Sequence, residues 1–300
     1  MQINLRHSVN EEKLRSYSSA FSRSVFSDIA FFSDYTHLNW ILSHYKESLK
    51  EGSSYMDFLS YMYSAISKFY RCEYVYKNEI INQLLLKKYG TKHTIAFNEF
   101  KVGDSIVDLA MMNGESKAFE IKTTLDSPKR LGKQMTDYKK LFDKSYIVVD
   151  EKECAYYAEH VEEGTGVVSL SFVKGRIVLE EYKPATKHED IDVFCLMKCL
   201  RISEYENIVR TYFGELPDVP RSVMYDFCRE QMCKIPYEVL NSLFLEEIKK
   251  RKSVTKQLKS FPKEIRQIML ALNLPENKQE ILITNLNKPI NREYLCTTRF

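Results

Sequence analysis

Residues 105–123 read SIVDLAMMNGESKAFEIKT, and the fold turns on this stretch. Ser105 to Met112 alternates like a half-buried strand, and Lys117 to Thr123 makes a second one. Asn113-Gly114 between them is a strong hairpin signal. Asp108 lies inside the first strand and Glu120 and Lys122 inside the second. Side chains alternate along a strand, so Glu120 and Lys122 share a face while Ile121 points the other way. The Glu-x-Lys pattern alone says little, because it also starts at Glu11, Glu99, Glu115, Glu181, Glu247 and Glu276. What distinguishes Glu120 is its apolar strand and the acidic residue on the strand before it.

A carboxylate inside an apolar strand is costly unless something holds it. Two brought together repel, and a divalent cation with oxygen ligands, magnesium or manganese, removes that conflict. The register decides whether they meet. A three-residue turn, Asn113-Gly114-Glu115, pairs Met112 with Ser116 and puts Asp108 opposite Glu120, with Cβ atoms about 4.5–5.5 Å apart. A two-residue Asn-Gly turn sends the two carboxylates to opposite faces. In the first case Lys122 stands beside the metal, where an ammonium can orient water and offset charge on a phosphate. The bland alternative is a Glu–Lys pair on an edge strand.

Outward from the hairpin, His93 to Phe100 reads as a strand. Residues 73–89 read as a helix ended by Gly90, and Glu79 lies on it, either as a solvated glutamate or as a water-mediated metal contact. After the hairpin, Pro128 to Phe142 reads as a helix on which Gln134 and Tyr138, four apart, share a face. Ser145 to Val149 is a buried strand, Cys154 to Val161 a helix, and Val167 to Val173 with Arg176 to Tyr182 a last hairpin. From about Asn10 to Phe69, and from about 192 to 272, apolar residues recur at helical spacing. These patterns predict an α/β class with a mixed-sheet core between helical flanks: a helical region over 1–70, an α/β core over 71–185 and a helical region over 186–300. Neither common glycine-rich phosphate loop is present.

The order of elements resembles the PD-(D/E)XK nuclease superfamily, and Gln134-x-x-x-Tyr138 resembles its RecB-like branch. The likeness covers about Glu73 to Asp150 and extends to small bacterial proteins of the superfamily. It implies a restriction-endonuclease-like core. It also implies a catalytic set of Glu79, Asp108, Glu120, Lys122, Gln134 and Tyr138. Asp108, Glu120 and the Ile121 carbonyl would ligate Mg2+ or Mn2+, and Lys122 would position the attacking water. The activity implied is hydrolysis of DNA phosphodiester bonds by metal-activated water, in restriction, repair or defence against phage. Val107 stands where the family commonly has proline, and Asp104 and Asp126 are extra acids nearby, the latter a possible ligand or helix cap.

The 300 residues carry a net charge of +3, which does not announce a nucleic-acid binder, so basic surface would have to be local. Lys129, Arg130 and Lys133 are best placed for phosphate. The run from Lys249 to Lys252, with Lys256, Lys259, Lys263 and Arg266, is denser and could track a phosphate backbone, but such a run is more often a solvated helix end. Seven cysteines, including Cys296, show no disulfide spacing and fit free thiols. Cys195/Cys199 and Cys228/Cys233 lack zinc-knuckle spacing. The histidines, His7 among them, form no ligand cluster. Met1 to Lys13 does not read as a signal peptide, and no apolar run is long enough to span a bilayer, so a cytoplasmic protein is expected, and DNA as its partner is what the resemblance implies. The helical flanks leave a homodimer or a partner protein open. Two competing readings remain: a nuclease-like module that binds nucleic acid or protein without cutting, and a helical interaction protein in which Asp108 and Glu120 lie apart or exposed.

Overall fold

The structure is a computed structural model and describes residues 10–124, 126 and 128–291, at Pro128 the backbone alone. His7 and Cys296 lie outside the described residues. In chain order the elements are α1 (Glu11–Ser19), α2 (Arg23–Phe32), α3 (Thr36–His44), α4 (Tyr55–Phe69), α5 (Glu73–Glu79), a π-helix (Ile80–Tyr89), β1 (Ile95–Val102), β2 (Ser105–Met112) and β3 (Ser116–Ile121). Then come α6 (Leu131–Lys139), β4 (Lys144–Asp150), α7 (Cys154–His160), β5 (Gly166–Val173) and β6 (Arg176–Lys183). The chain finishes with α8 (Val193–Cys199), α9 (Ile202–Phe213), α10 (Arg221–Met232), α11 (Tyr237–Lys249), α12 (Arg266–Leu272) and α13 (Glu276–Leu286).

The protein is therefore mixed α/β, with a sheet between helical flanks. Its six strands lie in the order β1-β2-β3-β4-β5-β6. β1–β2 and β2–β3 are antiparallel, whereas β3–β4 and β4–β5 are parallel. Helices α6 and α7 supply the long connections that parallel pairs need. β3 is central, and all six of its residues are buried.

Two compact units compose the chain: Met1–Asn82 with Phe172–Ile177 and Gln257–Phe300, and Gln83–Ser171 with Val178–Lys256. In the second unit one sheet face, with Ala110, Met112, Ala118, Ile147 and Val149, packs into a single core with residues of α6 to α11, among them Met135, Tyr138, Leu196, Ile208 and Phe244. In the first unit the buried stripes of α2 and α4, such as Phe26, Ile29, Phe58 and Met62, are completed by Leu282 and Leu286 of α13.

Three local features differ from the sequence pattern. The helix expected over 73–89 changes at Ile80 to a π-helix. Ile80, Ile81 and Leu85 on it are all buried. The helix expected over 128–142 is a 3-10 turn, Pro128–Arg130, followed by a shorter α6. Helix α13, opened by Pro275, has too mixed a pattern to stand out in sequence.

Candidate active site

The β2–β3 turn has the odd length: Met112 faces Ser116, Ala110 faces Ala118 and Leu109 faces Phe119. Continued by one step, that register sets Asp108 against Glu120, and the Ile121 N–H donates to Asp108 Oδ2 at 2.8 Å. Lys122 is tied to β4 through its N–H on the Val148 carbonyl, 3.0 Å. Glu120 and Lys122 are 3% and 8% exposed, so they are not a pair on an edge strand. The two acids lie on adjacent strands and Glu120 is buried, so the arrangement expected of a helical interaction protein, with Asp108 and Glu120 apart or exposed, is not the one seen.

Lys122 Nζ donates to Glu120 Oε1 at 2.8 Å and to Gln134 Oε1 at 3.2 Å. Gln134 Nε2 donates to the same Glu120 oxygen at 2.6 Å. Tyr138 Oη lies 2.5 Å from Glu120 Oε2 and 2.8 Å from the Ile106 carbonyl, so one phenolic proton serves two acceptors. Burial first, and the Glu120 carboxylate second, push the Tyr138 phenol far above its ordinary value, so it stays a donor. Four of the residues picked from sequence, Glu120, Lys122, Gln134 and Tyr138, thus form one hydrogen-bonded group, and Asp108 on β2 is held beside it by the Ile121 N–H.

Helix α6 is pinned by the residue beside Tyr138. Asp137 accepts from the Ser105 hydroxyl at 2.7 Å and from Lys140 Nζ at 2.9 Å. Burial alone would raise the Asp137 carboxyl, but these two donors outweigh it and hold it below its ordinary range. The bond from Ser105 ties the start of β2 to α6, which sets Asp108 relative to Gln134 and Tyr138.

Glu79 closes α5 within the first unit, where the Tyr63 hydroxyl donates to it at 2.7 Å and Asn82 Nδ2 at 3.4 Å. Asp126 Oδ2 accepts from both the Thr123 N–H and its hydroxyl, each at 2.8 Å, so its carboxylate closes the turn after β3. Lys129, Arg130 and Lys133 are exposed. Lys133 faces Asp104 across 3.8 Å with both side chains mostly in solvent, a weak pair. In the Lys249–Lys252 run, Arg251 is committed elsewhere: it grips Glu204 with two bonds of 2.7 Å and reaches the Cys199 carbonyl at 2.8 Å. Lys250 pairs with Glu247, and in the first unit Arg266 bonds Asn82 Oδ1 at 2.8 Å.

Two features have no counterpart in the sequence reading. Glu99 on β1 has a φ of +58°, and the β1–β2 ladder skips it between Asn98↔Leu109 and Phe100↔Val107. That gap falls across from Asp108, and a left-handed glutamate in a strand stores about 1–3 kcal/mol of strain. Asp143, 2% exposed, accepts from the Ser116 N–H and hydroxyl at 2.6 and 2.8 Å, from Tyr237 Oη at 2.6 Å and from Asn241 Nδ2 at 2.9 Å. It anchors the start of β3 to α11.

Magnesium keeps several waters and takes one or two carboxylates from a protein. Asp108 and Glu120 lie on adjacent strands and offer oxygen atoms of the kind such an ion takes, but both Glu120 oxygens and Asp108 Oδ2 accept hydrogen bonds from the protein. The Ile121 N–H is aimed at Asp108, and in a strand the carbonyl of the same residue leaves on the same side. Among the described residues no group of three or more His, Cys, Asp or Glu side chains is placed to hold a metal ion. The six described cysteines are free thiols. No helix among the described residues is long and apolar enough to cross a membrane.

A mixed α/β protein with a glutamate and a lysine buried at its central strand, and a partly buried aspartate on the strand beside them, is the class that fold and site define. Residues 67–288 match the family described as Bacteriophage P4 protein cII, and the chain belongs to that family. It is similar to protein cII of Enterobacteria phage P4, 30% identical over 105 residues that span 35% of this chain and 40% of that protein. The chain thus matches less than half the length of that relative. Among solved structures, the SPO1766 protein of unknown function from Silicibacter pomeroyi aligns over 42% of this chain and 86% of its own at 15% identity, with a TM-score of 0.27, too loose to carry an argument.

Proposed function

We propose that the chain is a metal-dependent nuclease of the PD-(D/E)XK kind that hydrolyses DNA phosphodiester bonds. The observation that carries this reading is the buried convergence of Glu120, Lys122, Gln134 and Tyr138, with Asp108 on the neighbouring strand. Such a polar group inside a sheet has to be fully satisfied to be tolerated, and its cost is expected where chemistry requires it.

Asp108 and Glu120, with the Ile121 carbonyl, would hold Mg2+ or Mn2+. When bound, the ion supplies a Lewis acid and a water of lowered pKa. Lys122 carries the positive charge that orients water and offsets charge on the phosphate. Gln134 holds both Lys122 and Glu120, so it fixes their separation. Tyr138 fixes the Glu120 carboxylate from the other oxygen. Lys129, Arg130 and Lys133 offer exposed cations to the strand's phosphates, a salt-sensitive contribution to affinity. Glu79 is carried as a supporting acid on the family likeness alone.

A second reading is favoured by one observation: both oxygens of Glu120 are already taken by protein donors. In that reading the group is kept as structure, and the domain binds nucleic acid or protein without cutting. Incubation of the whole chain with supercoiled and with linear DNA, with magnesium, manganese or EDTA, separates the two. Cleavage that needs the metal supports the nuclease, and the linear arm tells whether ends are required. DNA left intact under both metals supports the second reading.

A further inference from the structure

Helix α6 turns Gln134 and Tyr138 toward Glu120, and another face of it borders a cavity of about 300 Å3. Leu131, Gly132 and Met135 line it from α6, and Tyr156, His160 and Glu162 from α7 and the residue pair beyond it. The rings of Tyr156 and His160 stack at 4.3 Å, 19° from parallel. His160 Nδ1 is 2.8 Å from the Tyr156 carbonyl, which fixes the imidazole in that stack. Tyr157, itself buried, meets the Tyr156 ring edge-on at 5.3 Å. Tyr156 is nonetheless 51% exposed, so a rigidly held aromatic ring is kept open to solvent.

Gly132 is the second residue of α6, where glycine costs helix stability relative to alanine. Its φ is not left-handed, and a Cβ added to it meets nothing within 4 Å. Neither backbone conformation nor packing therefore requires a glycine there. What its missing side chain leaves free is the cavity.

We propose that this cavity seats one base of a single-stranded nucleic acid, stacked on Tyr156, as the strand runs to the Asp108–Glu120 site. The inference rests on the nuclease reading and narrows its substrate to strands with unpaired bases. Flat aromatic stacking beside a backbone-tracking row of cations is how single strands are held without sequence preference. Lys129, Arg130 and Lys133 supply that row on the same helical segment, and all three are exposed. Glu162, held by Lys139 at 2.7 Å, gives the cavity a carboxylate that can accept from the amino group of a base.

The test uses the whole chain in EDTA and a single-stranded DNA oligonucleotide carrying 2-aminopurine at each position in turn. The parent is expected to quench the fluorescence at one position on binding. Tyr156→Ala and Gly132→Leu are expected to abolish that quench and weaken binding about tenfold, the worth of one stacked base. Gly132→Ala, whose single methyl takes less of the cavity, should weaken the quench less than Gly132→Leu, the order that a seat limited by space requires. No binding, binding without a quench at any position, or both bulky and ring-deleting variants behaving as the parent would overturn the base seat. Failure of the nuclease reading looks different: quenching in EDTA persists, while DNA stays intact in magnesium and manganese.

Discussion

Tyr138→Phe removes one oxygen and leaves the ring. Tyr138 is fully buried in the core of the second unit, so the ring's packing is retained and no cavity of consequence opens. What is lost is the donor shared by Glu120 Oε2, 2.5 Å away, and the Ile106 carbonyl, 2.8 Å away. Hydrogen bonds to charged groups contribute about 1.5–3 kcal/mol, and an orphaned buried acceptor costs a similar amount. Glu120 keeps Lys122 and Gln134 on its other oxygen, which limits the damage. The expected loss is about 2 kcal/mol, a sizeable share of the 5–15 kcal/mol typical of a folded protein. Urea unfolding followed by circular dichroism should show a lower midpoint at unchanged slope. A loss below about 0.5 kcal/mol, the scatter of an ordinary surface substitution, would refute the claim that this hydroxyl holds the site together.

Other consequences are equally direct. Arg251→Ala leaves the Glu204 carboxylate, whose side chain is 8% exposed, with the Arg201 N–H as its remaining close donor and should cost about 1.5–3 kcal/mol in thermal or urea unfolding, whereas exposed Lys249→Ala should stay within about 0.5 kcal/mol. Burial pushes the phenols of Tyr63, Tyr74, Tyr138 and Tyr146 up, and Tyr89 to about 12. The unfolded chain loses those protons near pH 10 while the folded chain keeps them, so stability is fully present below about pH 10 and should fall as pH rises beyond it. A urea midpoint that does not move between pH 9 and pH 11 would contradict this. At Glu99 a glycine should be neutral within about 0.5 kcal/mol, although glycine ordinarily weakens a strand, because it relieves the left-handed φ. Glu99→Val should lose about 1–2 kcal/mol at the same position, since β-branched side chains resist that conformation.

Much of the candidate site can be read from sequence because its logic is local. The side-chain period of two puts Glu120 and Lys122 on one face, and the odd Asn113-Gly114-Glu115 turn brings Asp108 to the same level. Gln134 and Tyr138 share a helix face, and both reach Glu120. The parts that were not legible depend on choices made across long stretches of chain. Asp143 is satisfied by residues 27, 94 and 98 positions away. Arg251 looks like one cation in a solvated run until Glu204, 47 residues earlier, is placed against it. The first unit gathers α1 to α5 with α12 and α13, so no single stretch of sequence contains it. The π-helix and the kink at Glu99 leave the hydrophobic pattern intact and alter only backbone geometry, so periodicity is blind to them.

The central claim is that Asp108, Glu120 and Lys122 form a metal-dependent hydrolytic site, and its most direct test is DNA cleavage by Glu120→Ala and Lys122→Ala beside the parent. Both variants are first shown to be folded by circular dichroism, then assayed in magnesium and in manganese. The account predicts metal-dependent cleavage by the parent and a loss of at least about a hundredfold in each variant, the scale of removing one charge-stabilising group from an active site. Cleavage that survives both substitutions would contradict the assignment of the site.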